Sequence, residues 1–170
     1  MKFGHLPAGY IASKLLFKSF KKRTISYNSF IFLGLLGAVA PDFDLIYMAV
    51  VEDYQYDHHK YLTHLPVFWL GLLLISVVWL SLSNNLDKNP SLAFIFCFNG
   101  FIHMILDTFT GPVFWLAPHQ NNTAYSFLLN DVTYGSMDLN YFANWSFVVE
   151  LFIIWWAIYL HFNKYLKSGR

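Results

Sequence analysis

The chain has 170 residues, of which 56% are hydrophobic and 21% aromatic, while only 12% are charged; soluble domains carry roughly 25% charged residues. This composition indicates an integral membrane protein and excludes a disordered chain, and the single cysteine excludes a disulfide-stabilised scaffold. The formal net charge of +1 provides no basic field for phosphate backbones, so we expect no nucleic-acid partner.

The N-terminal segment is predicted to form an interfacial helix over residues 6–23. Residues 6–19 are mildly amphipathic and a basic cluster follows them, which reverses the order found in a secretory signal peptide. The cluster comprises Lys18, Lys21, Lys22 and Arg23. We expect these cations to lie at the lipid headgroups.

Four apolar stretches follow and predict an all-α, polytopic membrane bundle with three or four spans. They cover residues 30–51, 65–82, 91–109 and 145–162. A proline and two carboxylates interrupt the first stretch, at Pro41-Asp42-Phe43-Asp44. Residues 110–144 contain glycine, proline and many asparagines, and are expected to cap the bundle outside the hydrocarbon. We expect one membrane-embedded domain over residues 1–170.

Charge counting favours four spans over three. With four spans and a cytoplasmic N-terminus, ten of the eleven Lys and Arg residues lie on the cytoplasmic side and only Lys60 lies outside. If residues 30–51 instead enter and leave on one side, the distribution becomes seven against four. The four-span arrangement puts His5 and residues 52–64 on opposite sides of the membrane. We expect that membrane to be a bacterial inner membrane.

Ionisable residues inside apolar stretches identify the candidate site, because such a group costs several kcal/mol in a membrane unless it is paired, hydrated or metal-bound. His103 and Asp107 lie four residues apart, on one face of the third stretch. Neutral imidazole and carboxylate are both ligands for zinc. The alternative is an intrahelical hydrogen bond that lines a polar seam.

Two further polar elements border the apolar stretches. Asp42 and Asp44 lie where a proline stops the helix, and they could hold a cation or mark a helix end at the interface. His59 and His64 precede the second stretch, and they could converge as ligands if a helix starts between them with Thr63 as its cap. The alternative is a polar juxtamembrane loop. We favour metal ligands because acid and histidine elements border several neighbouring stretches.

Three other ionisable residues have open roles. Glu150, about one turn into the last stretch, is a ligand, a base or a partner for another buried polar group. His119 lies in the capping segment, where it could join the site or be solvated, and His161 is expected at the membrane interface. The sequence contains no Walker loop, dinucleotide-binding glycine motif, serine-nucleophile elbow or His-Glu-x-x-His motif.

The order of these elements resembles that of the YdjM-like family of membrane-bound, metal-dependent hydrolases. The elements are an N-terminal His5, Gly-Ala-Val-Ala-Pro-Asp-Phe-Asp at 37–44, His-Lys-Tyr-Leu-Thr-His at 59–64 and His-Met-Ile-Leu-Asp-Thr-Phe-Thr-Gly at 103–111. The resemblance covers roughly residues 4–118. A weaker similarity, to zinc-dependent phospholipase C, implies a phosphoester substrate.

The sequence departs from the family pattern at two positions. Lys60 stands where the family usually has arginine, and Leu65 where a serine often follows the second histidine. Lysine lacks the bidentate geometry of a guanidinium, which argues against a phosphate-clamping role for position 60.

Together, the residues and the resemblance imply a membrane-bound hydrolase that uses a divalent ion, most simply zinc, to activate water against a phosphoester or other ester bond of a lipid-like substrate. The expected ligands are His5, Asp42, Asp44, His59, His64, His103 and Asp107. Asp44 or Asp42 is expected to act as the general base, and Glu150 could orient a ligand. The expected partners are membrane lipid and that substrate.

Two other functions use the same residues. An ion- or proton-coupled transporter would spread its ionisable groups across the depth of the membrane, although the sequence has no internal repeat. A non-enzymatic membrane scaffold would use them in pairwise hydrogen bonds between helices, without a bound metal.

Overall fold

A computed structural model describes residues 3–20, 23–51, 61–119 and 145–168, with side chains described as far as residue 163. Within these ranges the fold is helical, as predicted. The helices are α1 (His5–Leu16), which continues into a 3-10 turn (Phe17–Phe20), α2 (Tyr27–Val39), α3 (Phe43–Val51), a 3-10 turn (Leu62–His64), α4 (Pro66–Leu82), α5 (Asn89–Thr108) and α6 (Trp145–Ser168).

Prolines and a serine set the helix boundaries. Ser26 caps α2 by accepting a hydrogen bond from the backbone N–H of Ser29 at 3.1 Å. Pro66 and Pro90 lie in the first turns of α4 and α5, where their missing N–H leaves no helical bond unmade. Pro41 lies in the turn between α2 and α3, and the two helices are bent by 44° there. The predicted interruption of the first apolar stretch is therefore present.

Length and hydropathy identify two helices that could cross a membrane, α5 and residues 145–163 of α6. The bent pair of α2 and α3 passes the same test together, which gives up to three spans. The apolar helix α4 has 17 residues, at the lower limit for a span. The described helices thus fit a helical membrane bundle.

Helix α1 packs against α2, α5 and α6. Its buried face carries His5, Gly9 and Ser13 at a spacing of four residues, so small and polar groups face the neighbouring helices. A Cβ atom on Gly9 would lie 2.5 Å from that of Ala38, which shows how closely α1 and α2 approach. The Asn99 amide of α5 donates to the Ser13 hydroxyl at 3.0 Å and ties α1 to α5.

Two apolar clusters form the core. One, around Phe20, Phe30 and Ile95, joins the end of α1 to the starts of α2 and α5. The other, around Ala40, Trp69 and Met104, joins the end of α2 to the start of α4 and the end of α5.

The helix directions bring distant parts of the chain to one end of the bundle. Helices α1 and α4 begin there, and α2 and α5 end there. Helix α6 also begins there and runs parallel to α1. Near their starts, the Phe3 N–H donates to the Glu150 carboxylate at 3.2 Å, and further along both helices the Tyr10 hydroxyl lies 3.2 Å from His161 Nδ1. The start of α1 and the start of α4 therefore share one end of the bundle, and His5 is not separated from His64.

Candidate metal centre

Five ionisable side chains from four separate segments meet at this end of the bundle. They form two overlapping groups of three, and within each group the potential ligand atoms lie within 4.8 Å of one another. One group is His5, Asp42 and His103, and the other is His64, His103 and Asp107. We call these five residues the histidine cluster.

Short distances join the members of the histidine cluster. His103 Nε2 lies 2.9 Å from Asp107 Oδ2 and 3.5 Å from Asp42 Oδ1. His64 Nε2 lies 3.6 Å from Asp42 Oδ1 and 3.8 Å from Asp107 Oδ2. His5 Nε2 lies 3.1 Å from Asp107 Oδ1, and its ring stacks on that of His103 with centroids 3.6 Å apart.

Hydrogen bonds on the far side of two rings fix which nitrogen faces the cluster. His103 Nδ1 donates to the carbonyl oxygen of Ala38 at 2.7 Å. His64 Nδ1 donates to Asp44 Oδ2 at 2.5 Å. When each ring is neutral, its proton is on Nδ1, and the lone pair on Nε2 points toward the carboxylates. Metal-binding histidines are held in the same way by an acceptor behind the ring.

Asp44 lies behind His64, outside both candidate ligand groups. Its Oδ2 also accepts a hydrogen bond from the Thr63 hydroxyl at 2.7 Å. The carbonyl oxygen of Thr63 accepts from Trp69 Nε1 at 2.7 Å, so the start of α4 holds this arrangement in place. The cap position of α4 is Leu65, without a side-chain hydrogen bond. Thr63, which the sequence offered as one possible cap, binds Asp44 instead.

Burial makes the histidine cluster a site of low dielectric. The side chains of His5, His64, His103 and Asp107 are each at most 8% exposed, whereas Asp42 is 34% exposed. Burial lowers the pKa of His5. Burial also opposes the charged form of His64, but hydrogen bonds to Asp42 and Asp44 outweigh it and raise the pKa of His64 to about 9. Because Asp42 is the most exposed member, the cluster is reached from outside the protein on the side where Asp42 lies.

The donor set fits a divalent metal ion. When they bind a metal the three imidazoles are neutral, and with two carboxylates they would bring a net charge of −2, which a dication would balance. Among the described residues, buried His5 Nδ1 has no hydrogen-bond partner. His103 Nε2 lies 2.9 Å from Asp107 Oδ2 but has no proton to donate when the ring is neutral, because Nδ1 donates to Ala38. Buried polar atoms are nearly always hydrogen-bonded, so an unmet imidazole nitrogen in such a cluster is consistent with a ligand atom.

The structure brings together five of the seven residues predicted as ligands: His5, Asp42, His64, His103 and Asp107. It places Asp44 one hydrogen bond away, behind His64. His59 and Lys60 lie outside the described residues, as do residues 120–144 of the predicted capping segment.

The three residues with open roles lie elsewhere. Glu150 is fully buried and accepts the hydrogen bond from the Phe3 N–H, two residues before His5. His119 is exposed and belongs to neither candidate ligand group. His161 is exposed on α6 beside Tyr10.

Sequence reasoning missed the acceptor behind His103. The carbonyl oxygen of Ala38 is a backbone atom at the end of α2, and no side-chain pattern marks it. Its only trace in the sequence is the run of small residues before Pro41, which allows α2 and α5 to approach closely: a Cβ atom on Gly37 would lie 2.2 Å from the Phe96 carbonyl oxygen.

Comparison with known proteins gives the family. A family model described as YdjM inner membrane protein matches residues 1–168. The chain belongs to the YdjM inner membrane protein family. No curated protein and no solved structure matches the chain. Membership confirms the resemblance seen in the ordered motifs, and with the apolar helices it identifies an integral protein of the inner membrane. In this YdjM family member, the motifs that carried the resemblance supply the residues of the histidine cluster.

Proposed function

We propose that the protein is a membrane-bound, metal-dependent hydrolase whose histidine cluster holds zinc. The observation that carries the proposal is that three imidazoles and two carboxylates, from four segments, form two groups of possible ligands that share His103. Ionisable groups inside a membrane bundle are costly, and a shared cation offsets that cost better than isolated hydrogen bonds do.

The donor atoms favour zinc over the hard cations. Magnesium and calcium prefer oxygen ligands, whereas zinc takes imidazole nitrogen and carboxylate oxygen together. A structural zinc site is closed by four protein ligands, while a catalytic site leaves a position for water or substrate. We place the open position for water or substrate on the side of the cluster where Asp42 lies, because Asp42 is the most exposed of the proposed ligands.

The reaction would be hydrolysis of an ester. A bound zinc ion supplies a water molecule of lowered pKa and stabilises negative charge on the oxygen of the ester under attack. Asp42 accepts the proton from the attacking water as general base, because it combines exposure with contact to the other ligands. The new bond joins the water oxygen to phosphorus or carbonyl carbon, the ester bond breaks, and the leaving alkoxide takes up the proton that Asp42 accepted from the water.

Asp44 and Glu150 act as positioning residues in this proposal. Asp44 keeps the Nδ1 proton of His64 away from the cluster. Glu150 holds the backbone of Phe3, and thereby the segment that carries His5 into the site. Neither residue belongs to a candidate ligand group among the described residues.

A lipid-like ester is the substrate class that suits the location. Exposed apolar side chains directly follow Asp42 on α3, among them Phe43, Ile46 and Tyr47. Such a surface next to the exposed ligand accommodates an acyl chain while the ester linkage reaches the metal. A phosphoester is the linkage that the resemblance to zinc-dependent phospholipase C favours.

The test is metal analysis of the detergent-purified protein, followed by a hydrolysis assay with phosphatidylcholine in mixed micelles. We expect stoichiometric zinc in the wild type and its loss in His103→Ala and Asp107→Ala. His119→Ala removes an exposed histidine outside the cluster and is the matched control. Unchanged zinc content in both cluster variants would refute the metal site, and zinc without hydrolysis of any ester would refute the enzyme.

The two rival functions predict different arrangements. A transporter would distribute its ionisable groups across the membrane, whereas the members of the histidine cluster gather at one end of the bundle. A scaffold would pair each polar group with one neighbour, whereas His103 lies near Asp42 and Asp107 at once.

A further inference from the structure

The two ends of the bundle differ in charge. Among the described residues, the end that holds the histidine cluster has no lysine or arginine in residues 3–5, 38–51, 61–66, 103–119 and 145–150. It carries the carboxylates of Asp42, Asp44 and Asp107 instead. The cations whose side chains are described all occupy the opposite half of the bundle: Lys14, Lys18, Arg23 and Lys88. We call this half the basic end. Positions 164 and 167, both lysines, belong to the last turns of α6.

Contacts between segments define the basic end independently of its charge. Arg23 donates to the carbonyl oxygen of Leu80 at 3.1 Å and to the Ser83 hydroxyl at 2.9 Å, at the end of α4. The Thr24 N–H donates to the carbonyl oxygen of Asn85 at 3.1 Å. The turn before α2 and the turn before α5 therefore meet at the end opposite to the cluster.

Five of the eleven cations in the sequence lie outside the described residues. In the chain, Lys21 and Lys22 come between Phe20 and Arg23, and Arg170 follows α6, whereas Lys2 and Lys60 come before α1 and α4. Short cytoplasmic connections of inner-membrane proteins carry an excess of lysine and arginine, as the basic end does among the described residues.

We infer that the basic end faces the cytoplasm, and that the histidine cluster opens to the extracytoplasmic leaflet and takes an amphiphilic substrate from it. The inference about substrate rests on the proposed function, whereas the orientation does not. Charge counting placed the N-terminus in the cytoplasm, whereas in the inferred orientation the first residues of α1 lie on the extracytoplasmic side with His64.

The surface beside Asp42 indicates lipid as the source of the substrate. Helix α3 buries Asp44 and Met48 and exposes Phe43, Ile46 and Val50 on its other side. This apolar strip begins one residue after the exposed ligand and carries no charge, so acyl chains cover it at low cost. A substrate that already lies in the leaflet can thus present its linkage to Asp42 without leaving the membrane.

Orientation can be tested without any assumption about metal or catalysis. Green fluorescent protein and alkaline phosphatase are each fused after Arg170 of the full chain. We expect fluorescence from the first fusion and no phosphatase activity from the second, because fluorescence develops in the cytoplasm and the phosphatase folds outside it. Active phosphatase with a dark fluorescent fusion would overturn the inference.

Cysteine labelling checks the two ends separately. In a Cys97→Ser background, which removes the single native cysteine, Leu86→Cys marks the basic end and His119→Cys the cluster end. Both native residues are exposed. We expect a membrane-impermeant maleimide to label position 119 in spheroplasts, and position 86 only after permeabilisation. The reverse pattern would overturn the orientation.

The lipid source has its own readout. A fluorophore on Ile46→Cys is reconstituted in vesicles of phosphatidylcholine with brominated acyl chains, and the same fluorophore on Leu86→Cys is the control. We expect loss of fluorescence at position 46 and little at position 86. Quenching of position 46 by aqueous iodide instead of bromine would show a water-filled approach and refute the lipid source. Loss of hydrolysis alone, with both orientation and quenching as expected, would refute only the proposed function.

Discussion

At the scale of single residues, the arrangement of the histidine cluster depends on hydrogen-bond acceptors that lie behind its rings, on the side away from the carboxylates of the cluster. His64 is oriented by a carboxylate and His103 by a backbone carbonyl, so the two rings respond differently to mutation. The carbonyl of Ala38 cannot be removed by a side-chain change. The Asp44 carboxylate can be removed, which makes it the position at which orientation is separable from ligation.

We predict that Asp44→Asn weakens zinc binding by about 10–100-fold, the range found when the partner of a metal-binding histidine is lost. The asparagine amide can donate to His64 Nδ1, which moves the ring proton to Nε2 and directs it at the metal. Competition titration with a chromophoric chelator measures the change. Thr63→Val removes only the hydroxyl that supports Asp44, so its effect is expected in the same direction and smaller. Wild-type affinity in Asp44→Asn would assign Asp44 a purely structural role.

The sequence predicts which residues come together better than it predicts how their side chains are oriented. His103 and Asp107 are four residues apart in a long apolar helix, and helical geometry alone brings them to one face. Asp42 and Asp44 are two residues apart at a helix break, where the backbone path is set by tertiary packing. Nothing in the pattern Pro-Asp-Phe-Asp shows that Asp42 joins the cluster while Asp44 lies behind His64.

At the scale of helices, the site requires α2 and α5 to lie in close contact. The hydrogen bond from His103 to the Ala38 carbonyl is available only if the backbones approach. Gly37, beside Ala38, makes this approach possible, since a Cβ atom there would lie 2.2 Å from the carbonyl oxygen of Phe96. That neighbour is a backbone atom in the middle of α5 and cannot move aside at low cost.

We predict that Gly37→Ala destabilises the fold by about 1–3 kcal/mol, as substitutions at other overpacked sites do. The same change displaces Ala38 from His103. Gly71→Ala is the matched control, because a Cβ atom at Gly71 would meet no atom within 4 Å. We expect Gly71→Ala to raise the free energy of unfolding by about 0.5–1 kcal/mol, because alanine has the higher helix propensity. Thermal unfolding in detergent, with zinc titration of the folded variants, measures both effects. Equal melting temperatures for Gly37→Ala and Gly71→Ala would contradict the close approach.

Helix positions are largely predictable from the sequence, but helix partners are not. The break near Pro41 and the apolar helices follow from hydropathy and proline. The packing of α1 does not, because its buried face of His5, Gly9 and Ser13 looks polar and small instead of apolar. Close packing through small residues and hydrogen bonds is the usual interface between helices in a membrane, where apolar side chains gain little by leaving the lipid.

At the scale of the whole molecule, the last helix holds the segment that carries His5. Glu150 lies 147 positions from Phe3 in the chain and accepts its N–H. We predict that Glu150→Ala weakens zinc binding through His5, since the segment that carries His5 loses this anchor. In a His5→Ala background the same substitution is expected to have no further effect on zinc affinity, which a double-mutant cycle tests. Additive losses would place the action of Glu150 elsewhere in the fold.

The metal is expected to stabilise the entire bundle, because its ligands come from the start of α1, the α2–α3 turn, the approach to α4 and the end of α5. A ligand that binds only the folded state adds about 2.7 kcal/mol of stability at a free concentration of 100 times its Kd. Removal of zinc by a chelator should therefore lower the melting temperature, and added zinc should restore it. His103→Ala should melt at one temperature with or without the chelator, because its site no longer binds the ion. An equal response to the chelator in wild type and His103→Ala would show that the stabilising ion is bound outside the histidine cluster. The melting measurement needs no substrate, so it tests the shared cation independently of any reaction.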